Sequence, residues 1–495
     1  HRPVVFIPAA AVLLLLCAAM GLHGHVGHGT LDLPGALPSI PAGPFILLYA
    51  LTWCSAVGLF LLWPRRLSPA ATRRTMLLLA VAARLLLFPQ PPSDDLNRYL
   101  WEGRVLANGI SPYAHAPTDP ALASLAADDP FHAGINHPGL PAAYPPMVLF
   151  LFAVLARTWY HPLAVKALLL AFDLLALGGI LRLLEYRRLP LRWAALYAFN
   201  PLILVSFAGH AHFDAIQTGL LTWALVCYDR RRWAACFLLA GLAVQGKYVA
   251  VLALPFLLRR DNWKWLWLSA LAVALPYLPF LVADRRQLFM CLVLFGETFA
   301  FNGPVHGLLR AACLGWMTPA TWICKGLLAA ALAAGYRWFH PARNARYRDE
   351  PLSGMFFALG ALIVLSPTVH LWYLSWIVPF LCVRPAAPWF VLTLTAGAYF
   401  AVNGVFHDTG LWRLPAWAYL AQWLPFLLLL AREGILQVRR WSRPPPGRVP
   451  ASVAVVIPTR NEAARIAPCI RAAAGDPAVS EVVVVDAGST DATRA

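Results

Sequence analysis

Residues 3–22 read PVVFIPAAAVLLLLCAAMGL, without a single charge. A helix needs roughly 17 to 25 mostly apolar residues to cross a hydrocarbon core, so this stretch is long enough to span a bilayer. Comparable runs recur along the chain. Hydrophobic residues make up 60% of it, charged residues only 13%, and the mean hydropathy is +0.62. Soluble domains carry about 25% charged residues. The runs do not alternate polar with apolar residues, which excludes a transmembrane β-barrel. The expected fold is an all-α polytopic membrane protein with about twelve transmembrane helices. The chain opens on His1 rather than Met, so the expectation is that its natural start lies further upstream.

The formal net charge of +17 does not point to nucleic acid. The arginines cluster at Arg65-Arg66, Arg73-Arg74, Arg187-Arg188, Arg230-Arg231-Arg232, Arg259-Arg260, Arg337 to Arg348 and Arg439-Arg440, beside apolar runs. Cytoplasmic loops carry such clusters, whereas nucleic-acid binders gather them on one face. The nine cysteines form no CxxC pair and read as small core hydrophobes, giving no metal site.

With Arg65 to Arg74 placed in the cytoplasm, residues 89–143 form an extracytoplasmic loop, whose only basic residues besides histidine are Arg98 and Arg104. Met147 to Arg157 is short and reads as re-entrant. Trp233 to Leu258 has arginines at both ends and Gly246-Lys247 in its middle, which suggests a hairpin; a single tilted span is the alternative. Arg285-Arg286, falling outside, is the weak point. Both termini are expected in the cytoplasm of a multi-pass protein of the plasma (inner) membrane.

Under this topology the polar residues beside apolar runs collect on the outer side. The loop opens with Ser93-Asp94-Asp95-Leu96-Asn97-Arg98-Tyr99-Leu100-Trp101-Glu102-Gly103-Arg104. Carboxylates near a bilayer are costly, so they mark a candidate site. In a helix, Asp95, Arg98 and Glu102 share a face. A carboxylate there can accept a hydroxyl proton in glycosyl transfer; Asp94 can equally serve as a helix cap. Ser206, His210, Asp214 and Thr218 step by four and would stripe one helix. His210 with Asp214 could bind a lipid phosphate or form an interhelical hydrogen-bond network. Lys247 in its apolar stretch needs a partner, either a lipid phosphate or a buried acid such as Asp214. His370, beside Trp372 and Tyr373, reads as a ligand contact or as part of an interfacial aromatic belt. Asn302 and His306 are weaker candidates.

SDDLNRYLWEGRVLANGISPY, NHPGLPAAYPP, GHAHFDA, GLAVQGKYVAVLALPFLL and SPTVHLWYLSW occur in that order. Over about Ala70 to Val402 the chain resembles the GT-C class of integral-membrane glycosyltransferases, specifically their bacterial mannosyltransferase-like members. These share a D-x-x-R-Y-L-W-D/E-G first loop and a later H-x-W-Y-L segment. The resemblance implies a polyprenyl-phosphate sugar donor, a glycan or lipid-linked acceptor at the outer face, and inversion at the sugar carbon. It maps the base to Asp95, with Asp94 as alternate. Glu102 stands where the pattern often has Asp. Arg98, His210, Asp214, Lys247 and His370 are the candidate donor and lipid-phosphate residues. Here the loop follows a third span rather than a first. The reading from another class is a transporter or flippase of lipid-linked sugars, although no internal repeat is visible.

Residues 1–438 thus form the membrane domain and residues 439–451 a basic, Pro-rich linker. Residues 452–495 begin a further module. Val453 to Ile457 reads as a strand, Glu462 to Ala474 as a helix and Glu481 to Val485 as a second strand, with ligand loops at the strand ends. SVAVVIPTRNEAARI with VVVVDAGSTDAT resembles the start of a family 2 glycosyltransferase of the GT-A (α/β) fold. That resemblance implies nucleotide-sugar binding by Pro458, Asn461, Glu462, Asp486 and Asp491. It also implies a possible divalent metal (Mg or Mn) for the complete C-terminal domain. The chain stops before the D-x-D and base of such a domain, so it reads as a fragment of a longer fusion. One reading of the fusion is that the cytoplasmic module charges or extends a lipid carrier while the membrane module uses a lipid-linked sugar on the far side; the other is that the two share no substrate.

Overall fold

A computed structural model describes residues 2–23, 42–281, 287–339, 350–442, 453–476 and 479–494. The expected Arg285-Arg286 loop, most of the Arg337 to Arg348 cluster and most of the 439–451 linker lie outside these. By compactness the chain divides into residues 1–427 and 428–495.

The first unit is helical. Among the described residues, seven helices are long and apolar enough to cross a membrane: Val5–His23, Ala42–Leu62, Pro162–Tyr186, Trp263–Leu281, Met317–Phe339, Ala387–Thr409 and Ala416–Leu436. Leu191–Ala198 and Pro201–Gly209, bent by 47°, make an eighth if taken as one broken span. Other expected segments are shorter apolar helices: the crossings Leu352–Leu365 and Leu371–Val383, the first arm of the expected hairpin, Trp233–Gly246, and Pro146–Thr158. Leu15, Leu61, Leu78 and Leu428 are each more than half exposed. That would be a liability in water and suits a lipid-facing surface.

Proline starts many of these helices because its missing N–H is unpaired there anyway. Pro69 follows the cap Ser68, whose hydroxyl accepts from Ala71 N–H. Pro162 follows His161, whose ring accepts from Leu163 N–H. Small residues bring backbones together: a side chain at Gly219 would meet the Phe172 carbonyl, and one at Gly241 the Ser269 backbone. Arg84 and Asp173, both fully buried, pair through two hydrogen bonds, and the Tyr197 hydroxyl donates to the same carboxylate. Arg187, Arg231, Arg259 and Arg384 line one cavity of about 720 Å³ with Asp229 and Glu350. One arginine from each of three clusters, Arg187, Arg231 and Arg259, therefore meets at this place.

One helix reading needs correction. Ser206, His210, Asp214 and Thr218 do not stripe one helix. A π-helical turn ends at Gly209, Ala211 takes a left-handed φ of 63°, and a new helix begins at Asp214. Asp214 takes Lys247 and Trp376 as its partners instead of His210. The helix from Trp233 ends at Gly246, where the sequence placed the middle of a hairpin; Lys247 is extended and Tyr248–Leu257 starts afresh.

In the second unit, Val453–Thr459 and Val479–Asp486 pair in parallel, from Val453 opposite Val479 to Thr459 opposite Asp486. The helix between them is shorter than expected, Ile466–Ala474. Residues 461–463 instead use their N–H groups on the second loop, accepted by Ser489, Thr493 and Asp491.

Candidate active site

After Pro91-Pro92 the loop enters the helix Asp95–Ala107. Asp94 caps it, its carboxylate accepting from Asp95 N–H at 3.1 Å. Ser93 N–H donates to the His210 carbonyl, which ties the helix start to the break in the bent span. The fully buried Lys166 donates to the carbonyls of Phe88 and Gln90 and holds the approach to the loop. Gly103 lets the helix lie directly on Pro146–Thr158, since a Cβ there would come within 2.5 Å of the Phe152 carbonyl oxygen.

The two carboxylates have unlike surroundings. Asp95 Oδ1 accepts from Asn136 Nδ2 at 2.6 Å, and Asp95 Oδ2 lies 3.4 Å from His212 Nδ1. Burial raises the proton affinity of Asp95, but the nearby His212 imidazole and the Asn136 hydrogen bond outweigh it and hold this carboxyl well below the usual range. Asp94 is pushed up to about 7, first by burial and then by the charge of Asp95. Adjacent carboxylates with proton affinities pushed apart are a useful pair for acid–base work.

Arg98 and Glu102 stand behind this pair. Arg98 donates to Asn136 through both its side-chain Oδ1 and its carbonyl, and to the carbonyls of His137 and Leu140. It also pairs with Glu102 Oε1 at 2.8 Å. Every nitrogen of the guanidinium is thus engaged, so as folded it has no donor set aside for a lipid phosphate. Glu102 is 2% exposed and faces Arg98 rather than an open site; burial, opposed by Arg98, pushes its carboxyl up to about 7. These two residues position Asn136, and through it Asp95.

The other expected residues divide between two clusters. Asp214 accepts from Lys247 Nζ at 3.1 Å and from the Trp376 indole at 2.6 Å. Lys247 also lies 4.3 Å from the Phe213 ring centre and 5.5 Å from that of Tyr373. The buried-acid reading of Lys247 is therefore the one observed. In the second cluster His370 Nδ1 bonds the Tyr399 hydroxyl, and its ring stacks on Trp372 at 4.5 Å. His212 stacks on the same indole at 3.6 Å. His210 meets His212 and Phe400 edge-on. Phe301 packs on His370, whereas Asn302 bonds Val369 and Gln422, and His306 bonds Thr321.

Sequence reasoning did not single out His212, Asn136 or Trp376. Asn136 stood in the quoted NHPG and His212 in GHAHFDA, but neither spacing discloses that the two residues meet Asp95. In the C-terminal unit Asn461, Asp486 and Asp491 do converge. Asn461 Oδ1 accepts from Thr490 N–H, Asp486 from the N–H groups of Gly488 and Ser489, and Asp491 from those of Ala463 and Thr493. Pro458 lies on the first strand opposite Val485, and Glu462 opens the following turn. Among the described residues no three His, Cys, Asp or Glu side chains gather to hold a metal ion.

Residues 9–260 match the family described as alpha-(1->6)-mannopyranosyltransferase, N-terminal domain. Residues 454–495 match glycosyl transferase family 2. The chain is 24% identical over 386 residues to alpha-(1->6)-mannopyranosyltransferase A of Mycobacterium tuberculosis, covering 67% of this chain and 70% of that protein. It is 24% identical over 476 residues to a probable alpha-(1->6)-mannopyranosyltransferase of Mycolicibacterium smegmatis, covering 82% of this chain and 81% of that protein. No solved structure matches. The acidic loop and its aromatic surroundings therefore sit in a membrane glycosyltransferase, and the chain belongs to the alpha-(1->6)-mannopyranosyltransferase family.

Proposed function

We propose that this enzyme transfers a mannose-like sugar from a polyprenyl-phosphate donor to a hydroxyl of a glycan or lipid-linked acceptor at the extracytoplasmic face of the plasma membrane, with both termini in the cytoplasm. The acceptor oxygen bonds to the anomeric carbon, the bond from that carbon to the phosphate oxygen breaks, and the polyprenyl phosphate leaves with the electron pair. The acceptor's proton passes to the Asp94–Asp95 pair. Inversion follows from a single in-line displacement.

The observation that carries this reading is the pair of adjacent, half-buried carboxylates at the start of the loop helix, one of them bonded by Asn136 and faced by His212. Lys247 and His370 are the candidate contacts for the donor phosphate, and Lys247 keeps part of its side chain exposed beside Asp214. In the C-terminal part, Pro458, Asn461, Glu462, Asp486 and Asp491 are proposed to contact a nucleotide-sugar. Their gathering at the strand ends supports this.

The test is sugar transfer from radiolabelled polyprenyl-phosphate mannose by the purified full chain, wild type beside Asp94→Asn and Asp95→Asn. A fall of about 10²- to 10⁴-fold in a folded variant is the loss expected for a proton acceptor. Equal transfer by all three proteins removes the pair from the reaction. Absence of transfer by wild type, across several lipid-linked sugars, removes the proposed donor.

A further inference from the structure

Two carboxylates on consecutive residues, both half-buried, cannot both ionise cheaply. Which of them keeps the charge depends on what surrounds each, and the surroundings here are unequal. Asp95 has an amide donor on one oxygen and an imidazole facing the other. Asp94 accepts from a backbone N–H and shares the Asn136 amide, but among the described residues no basic side chain pairs with it.

The imidazole, His212, has unusual surroundings. It is fully buried, and neither ring nitrogen makes a hydrogen bond of good geometry. Buried polar groups are nearly always paired, so such a histidine calls for an explanation. Its ring is held from two directions. It lies nearly parallel to the Trp372 indole, with centroids 3.6 Å apart and planes 17° apart. His370 also lies parallel to that indole, at 4.5 Å and 9°. Two imidazoles so close would collide on one face, so they cover opposite faces of Trp372. The indole is thereby filled on both sides and is no platform for a sugar ring. The backbone fixes the other direction: Ala211 adopts φ 63°, and His212 N–H donates to the Ser206 carbonyl. Left-handed φ in a residue with a Cβ is uncommon and gathers at functional sites. Together these constraints aim Nδ1 at Asp95 Oδ2.

We propose that His212 is a positioning residue which holds Asp95 as the carboxylate of the pair, so that Asp94 takes the acceptor's proton. The inference rests on the transferase reading above. His212 does not touch the reacting atoms; it acts through Asp95. The proton leaves the acceptor hydroxyl as the new glycosidic bond forms and ends on Asp94, while Asp95 keeps its charge throughout.

Two replacements separate this role from packing. His212→Phe keeps a ring to stack on Trp372 but removes the nitrogen facing Asp95. His212→Asn loses the stack but places an amide nitrogen where Nδ1 stood. Transfer from polyprenyl-phosphate mannose is followed across roughly pH 5 to 9, spanning the carboxyl titration. Positioning predicts that the phenylalanine variant loses about tenfold or more in kcat with little change in KM for the donor. Its acid limb moves to higher pH, because both carboxyls gain proton affinity once Asp95 loses its partner. The asparagine variant stays closer to wild type in both respects. The reverse order, with phenylalanine near wild type and asparagine impaired, shows that His212 only packs and overturns the proposal. Where wild type transfers nothing from this donor, the donor assignment fails by itself. The pair is then read by infrared spectroscopy of the carboxyl C=O stretch during pH titration. A protonated-carboxyl band that moves to higher pH in His212→Phe sustains the proposal, and an unmoved band overturns it.

Discussion

Lys247 Nζ lies 3.1 Å from Asp214 Oδ2, while the other oxygen of that carboxylate accepts the Trp376 indole N–H. A lysine in an otherwise apolar run thus has an internal counter-charge. The resulting ion pair joins the break after Gly246 to the start of the helix Asp214–Asp229. An open donor site and an internal ion pair make different demands, and mutation can separate them.

Lys247→Met leaves Asp214 as a buried, uncompensated charge, which costs about 3–5 kcal/mol. Adding Asp214→Asn removes that charge and restores most of the stability. If Lys247 also meets the donor phosphate, both variants raise KM for the lipid donor by about tenfold, a loss of about 1.4 kcal/mol. Thermal unfolding in detergent and donor-dependent kinetics read the two effects independently.

With Asp94 as the proposed proton acceptor, the transfer rate is expected to depend on pH. A proton acceptor works only when deprotonated, and burial with the neighbouring charge sets this carboxyl at about 7. Activity therefore falls as pH drops through about 7 and levels off above it. Asp95→Asn removes the neighbouring charge, lowers the proton affinity of Asp94 and moves the acid limb to lower pH. A pH–rate profile of kcat/KM for both proteins checks the direction.

Arg98→Lys is not a conservative change. The guanidinium spreads its donors over Glu102, Asn136, His137 and Leu140, and an ammonium cannot reproduce that fork. The expected result is a destabilised loop and a lower kcat, with KM for the lipid donor unchanged. A selective rise in donor KM would make Arg98 a phosphate contact instead.

Gly103→Ala places a methyl group against the Phe152 backbone, where the helix Asp95–Ala107 crosses Pro146–Thr158. Backbone cannot step aside as a flexible side chain can, so overpacking of about 1–3 kcal/mol is expected. Gly43→Ala, with nothing within 4 Å, is the control and leaves the melting temperature near wild type.

Asp95 shows how far the sequence can be read. Its place at the start of a helix, and the shared face that lets Arg98 reach Glu102, follow from local spacing alone. The partners that set its charge, Asn136 and His212, stand about forty and more than a hundred residues away and enter from different segments. The Ser206 to Thr218 stripe failed for a related reason. A period of four assumes one continuous helix, and the turn at Ala211 breaks it.

The sequence by itself determined the class of this protein, because apolar length and the placement of arginines are local properties with a direct bilayer cost. It also determined which loop is acidic and where the strand-forming tail begins. Only the tertiary structure decided which candidates become a site. It pairs Lys247 with Asp214, spends Arg98 on the loop, and aims His212 at Asp95. The physical reason is that charge state and hydrogen bonding depend on neighbours in space, which packing between distant segments creates and periodicity along the chain does not encode.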